Sequence, residues 1–94
     1  MGKKADSNQV QIVKDLRKLG FSVAVLSQVG KGVPDLLIGT TTLRGRQNIL
    51  VELKDGAKFK SQQKLTKDEI EWHGKWRGQV AICNSLEQIL KLCI

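Results

Sequence analysis

Two carboxylates and an ammonium stand in a pattern suited to phosphodiester chemistry. Asp35 closes Gly32-Val33-Pro34-Asp35, and Glu52 and Lys54 lie in Val51-Glu52-Leu53-Lys54. Carboxylate oxygens are hard ligands that hold Mg²⁺ or Mn²⁺ while leaving coordination positions for water and a phosphate oxygen. A lysine beside them stabilises charge developing on the phosphate or orients the attacking water. Each segment alone has an ordinary reading. Glu-x-Lys on a strand is commonly a weak ion pair on a solvated edge, and Gly-x-Pro-Asp is commonly a turn in which proline fixes φ. The two in this order, at a separation a hairpin closes and in a basic chain, favour the joint reading. No serine, cysteine or histidine arrangement offers a covalent mechanism instead.

The elements that must position these groups are two strands. Leu36-Leu37-Ile38-Gly39 and Gln47-Asn48-Ile49-Leu50 read as their bodies, and Leu43-Arg44-Gly45-Arg46 carries the glycine of a tight reversal. A loop centred between Arg44 and Gly45 predicts a register in which Asp35 faces Lys54, Leu37 faces Glu52, Leu36 faces Leu53 and Ile38 faces Val51. Directly opposed residues share a face. Leu36, Ile38, Ile49, Val51 and Leu53 then form the core face, and the other face carries Asp35, Glu52 and Lys54 at its open end.

An opening helix, Gly-x-Pro-Asp-Leu, a Val-Glu-x-Lys strand, Leu65-Thr66 before a Trp72-His73 helix, a further strand and a closing helix follow one another from about Asn8 to Leu92. This order resembles the VRR-NUC domains, the virus-type replication-repair nucleases of the PD-(D/E)xK superfamily, in their small stand-alone phage and bacterial form. The resemblance implies that Asp35 and Glu52 are metal ligands, that the backbone carbonyl of Leu53 adds a third, and that Lys54 is catalytic. It also implies a restriction-endonuclease-like core, a dimer, and activity on branched DNA including four-way (Holliday) junctions. The chain departs from the family at two places. The family glutamate on the first helix is replaced here by Gln9 or Gln11, and Glu69 stands where a glutamine is frequent. Gln9 and Glu69 are therefore supporting candidates.

At 94 residues the chain is long enough for one domain and one core. Sixteen Lys and Arg against nine Asp and Glu give a net charge of +7, which fits a polyanionic partner. Lys31 lies between Gly30 and Gly32, where backbone can approach a phosphate. Lys58, Lys60 and Lys64 follow the proposed site in a polar linker from Asp55 to Lys64, so these four are the nucleic-acid-binding candidates. Phe59, among them, suits either a base or the core. Cys83 and Cys93 lack metal or disulfide spacing and read as buried thiols of a reducing cytosol. Residues 1–6 read as a disordered tail, and the absence of an apolar run predicts a cytoplasmic protein with no membrane association.

Hydrophobic spacing predicts a helix from Ser7 to Leu19 on Val10, Ile12, Val13, Leu16 and Leu19, and a strand on Phe21, Val23 and Val25. Thr66-Lys67-Asp68-Glu69 and Ser85-Leu86-Glu87-Gln88 are capping boxes opening two later helices, with a strand at Val80 to Cys83 between them. Thr66 to Arg77 is the expected dimer helix, and Trp72 and Trp76, one turn apart, are expected to make core or subunit contacts. His73 reads as a packing residue. The expectation is an α/β fold, a mixed four-stranded sheet flanked by helices in the order αβββαβα. The functional expectation is a Mg²⁺- or Mn²⁺-dependent endodeoxyribonuclease. The alternative is a non-catalytic nucleic-acid-binding or replication-complex interaction domain of the same fold.

Overall fold

The computed structural model describes residues 7–54 and 64–93. Its elements are α1 (Ser7–Lys18), β1 (Ser22–Val25), β2 (Leu36–Thr42), β3 (Gly45–Leu53), α2 (Lys67–Lys75), β4 (Val80–Cys83) and α3 (Leu86–Leu92). The strands form one sheet in the order β1-β2-β3-β4, antiparallel across the first three and parallel between β3 and β4. The mixed α/β architecture is the one expected. The tail expected at residues 1–6, most of the Asp55 to Lys64 linker, and with it Phe59, lie outside the described residues.

The core lies between one face of the sheet and the helices α1 and α3. Leu36 and Ile38 of β2, Ile49, Val51 and Leu53 of β3, and Cys83 of β4 point into it, where they meet Ile12, Val13 and Leu16 of α1 and Ile89 and Cys93 of the closing segment. Strand alternation explains this set, because odd positions of β3 share a face with even positions of β2. The face of α1 differs from the expected one. Val10 and Leu19 are more than half exposed, whereas Gln9 is buried beside Ile12 and Leu16. Positions 9, 12, 13 and 16 recur at helical spacing and make the inward stripe, and the apolar residues at 10 and 19 fall outside it.

The ends of the elements follow from local hydrogen bonding. At the C-terminus of α1 the Gly20 N–H donates to Arg17 O and the Phe21 N–H to Leu16 O, each at 3.1 Å, the paired bonds of a Schellman motif. Phe21 packs against the core cluster that contains Leu16. At the start of α3 the Ser85 hydroxyl accepts from the Gln88 N–H, but the Gln88 side chain returns to the Asn84 N–H at 2.7 Å, so the second expected box closes one residue early. Helix α2 ends at Lys75, with Trp76 as its extended C-cap. Trp72 and Trp76 stack at 4.7 Å with their planes 17° apart, and His73 meets the edge of Trp72.

The hairpin register is where the expectation is corrected. Leu36 pairs with Val51, Ile38 with Ile49 and Thr42 with Gly45, so only Leu43 and Arg44 form the connection. Gly45 has φ +99°, the left-handed conformation that ends a tight hairpin loop without a Cβ penalty, and the Thr42 hydroxyl accepts from the Arg44 N–H at 3.1 Å. The glycine therefore follows the turn instead of sitting at its centre. The pairing moves by two residues, which preserves both faces. Continuing the ladder by one step sets Asp35 against Glu52, not against Lys54.

Candidate active site

Asp35 immediately precedes β2. Its backbone O accepts from the Leu26 N–H at 2.7 Å, and its carboxylate Oδ2 accepts from the Leu53 N–H at 2.8 Å. The side chain is thereby clamped to the strand that carries Glu52 and Lys54. Glu52 is 3% exposed, and its Oε1 is buried without a hydrogen-bond partner among the described residues. Burial, reinforced by the neighbouring Asp35 and Glu69 carboxylates, pushes its carboxyl up to about 9. Without metal, Glu52 thus holds its proton at neutral pH.

Lys54 joins the cluster from the end of β3. Its backbone N–H donates to Cys83 O at 2.9 Å, tying the residue to β4. Its ammonium Nζ lies 3.9 Å from Glu52 Oε2 and donates to Glu69 Oε1 at 2.8 Å, with only 13% of the side chain exposed. Glu69 carries two duties at once. As the third residue of α2 it accepts from the Thr66 N–H at 2.8 Å, while its own N–H donates to the Thr66 hydroxyl, completing the expected capping box. Burial acts to raise its carboxyl, but the hydrogen bonds from Lys54 and the Thr66 N–H outweigh burial and hold it below the ordinary value. The structural and functional readings of Glu69 are therefore not alternatives.

Gly32 makes this meeting possible. It has φ +84°, and a Cβ there would overlap the Asp68 carbonyl and crowd the Glu69 N–H. The loop before Pro34 thus packs directly on the first turn of α2, which delivers Glu69 to Lys54. From the sequence the glycines around Lys31 were expected to admit a phosphate, but the close approach at Gly32 is to the protein's own helix. Gly-x-Gly ahead of Pro34 carried that signal, without naming the partner.

The other candidates sit as follows. Gln9 is buried on α1, and its amide donates to the Ser27 hydroxyl at 3.2 Å, with no bond to the carboxylates. Lys31 is exposed and lines a small pocket with Asp68, Glu71, Trp72 and Lys75. Lys64 is exposed, and Lys58 and Lys60 lie outside the described residues. Cys83 and Cys93 are free and buried, and burial raises both thiols.

Among the described residues no three His, Cys, Asp or Glu side chains form a ready cage for a metal ion. The donor set still suits a hard divalent cation that keeps part of its water shell. Glu52 Oε1 accepts no hydrogen bond among the described residues, the second oxygen of Asp35 is not used in the bond to Leu53, and both groups offer hard oxygen donors. No protein-family profile, curated protein or solved structure matches the chain.

Proposed function

We propose that this chain is a Mg²⁺- or Mn²⁺-dependent DNA endonuclease of the PD-(D/E)xK type, acting on branched DNA and, as a dimer, on four-way junctions. The observation that supports the reading is the meeting of Asp35, Glu52 and Lys54, with a Glu52 oxygen buried and accepting no hydrogen bond among the described residues. Burying such a group without a partner is costly in a purely structural protein, and a bound cation removes the cost.

Asp35, Glu52 and the Leu53 carbonyl would hold the ion, which when bound activates water and screens the phosphate. The chain's own residues do the rest. Asp35 stays fixed on the Leu53 N–H, so the two carboxylates keep their spacing. Lys54, held by Glu69, presents its ammonium where charge builds on the phosphate or where the attacking water must be aligned. Loading the site displaces the Glu52 proton, so metal affinity rises with pH.

The test is cleavage of linear, flapped and four-way DNA by the purified protein with Mg²⁺, with Mn²⁺ and with chelator. Cleavage requires metal and is abolished by Asp35→Ala or Glu52→Ala while the circular dichroism spectrum is retained. Undiminished cleavage in excess chelator overturns the mechanism. Metal-stabilised but catalytically silent protein that binds DNA supports the non-catalytic alternative.

A further inference from the structure

The sheet face opposite the core runs from the carboxylates to a basic, polar end. Shared-face pairing places Glu52 and Ile82 at one end, then Leu37, Leu50 and Val80, then Ser22, Gly39 and Asn48, and finally Thr41 and Arg46. At that far end Gly20, Ser22, Gly39, Thr41, Arg46 and Asn48 line a shallow groove of about 480 Å³. Its donors are exposed, and Arg46 forms no ion pair among the described residues. Arg44 stands at the hairpin tip, two residues away. Between Asp35 and Glu52 the sequence contains both arginines and no acidic residue.

We propose that this groove is a second phosphate-binding point for duplex DNA, fixing one arm of the substrate at a set distance from the site of cleavage. The inference rests on the nuclease reading for the position of the cleaved phosphate. Arg46 and Glu52 are six residues apart on one strand, which at about 3.3 Å per residue is roughly 20 Å. That separation equals about six base pairs at ~3.4 Å each. Arginine, serine, threonine and asparagine side chains are groups that hold phosphate oxygens without reading bases. Leu37 and Leu50 between the two ends offer no hydrogen bonds, so contact is made at the ends and not along the middle.

The experiment measures binding by fluorescence anisotropy without metal, on junctions whose hairpin-capped arms are 4 or 12 base pairs long. The wild-type protein binds the long-armed junction about fivefold tighter. Arg46→Ala loses this preference, and its salt dependence on long arms is shallower by about one. Asn48→Asp, which places an exposed carboxylate in the groove, loses it as well. Arm-length preference retained in both variants overturns the groove, as does an equal loss on short and long arms. Absence of cleavage with any metal overturns the nuclease reading instead, while the arm-length comparison still decides the groove.

Discussion

Replacing Glu52 with glutamine should stabilise the metal-free protein, and the size of the effect follows from its surroundings. The carboxyl titrates at about 4.5 when exposed and near 9 in the folded chain. Because the folded value is the higher one, the folded state holds a proton that the unfolded state releases as the pH rises above 4.5. Stability is therefore fully present below pH 4.5 and is lost progressively until the folded group ionises near 9. At pH 7 the interval above the unfolded value, at about 1.4 kcal/mol per unit, amounts to roughly 3 kcal/mol. Glu52→Gln keeps the shape, removes the titration and supplies an amide that can donate to Asp35 or Glu69. The variant is thus expected to melt about 15 °C higher at pH 7 in chelator, and within a few degrees of wild type at pH 4.5. Added Mg²⁺ narrows the gap by stabilising only the wild type. A variant less stable than wild type at every pH, or a difference that does not vary with pH, would refute the argument that Glu52 is buried at a cost relieved by cation.

Other substitutions separate the roles in the cluster. Lys54→Ala should abolish cleavage while leaving DNA affinity in a binding titration nearly unchanged, and should lower stability by on the order of 2 kcal/mol because Glu69 loses its cation. Gly32→Ala should cost roughly 2–4 kcal/mol in denaturant unfolding, since the new Cβ meets both a left-handed backbone and the Asp68 carbonyl. Its activity should fall further than its stability, because Glu69 is displaced from Lys54. Light scattering at micromolar concentration should give about twice the 10.5 kDa chain mass, since two symmetric cuts in a junction need two sites. A monomer both free and on DNA would leave nicking of flaps or single strands as the better description.

The fold was largely legible because strand alternation and capping chemistry act over a few residues. Leu36, Ile38, Ile49, Val51 and Leu53 were readable as one face, and Thr66 with Glu69 as one cap. What escaped depended on distance or on a single step of chain. The hairpin register turned on whether Gly45 sits within the turn or just after it, a difference of backbone angle that composition does not reveal. Gln9 escaped because a buried amide looks polar in sequence, although its bond to Ser27 satisfies it. The approach of Gly32 to Asp68 links positions 36 apart in sequence, and no local pattern names such a partner. The Asp35, Glu52 and Lys54 cluster was legible as a set, while the hold of Glu69 on Lys54 was not.

The two-residue connection at Leu43 and Arg44 also orders the assembly of the site in time. A hairpin closed so locally forms early, at little entropic cost, so Asp35 and Glu52 meet before α2 has a surface to dock on. The lysine's partner arrives only when residues beyond position 64 pack against Gly32, and β4 must return to lie parallel beside β3. The two carboxylates and Lys54 are thus brought together first, and the third carboxylate, which holds the lysine in place, arrives last. In a chevron analysis Glu52→Gln should accelerate refolding, whereas substitutions at Glu69 should act on the unfolding arm.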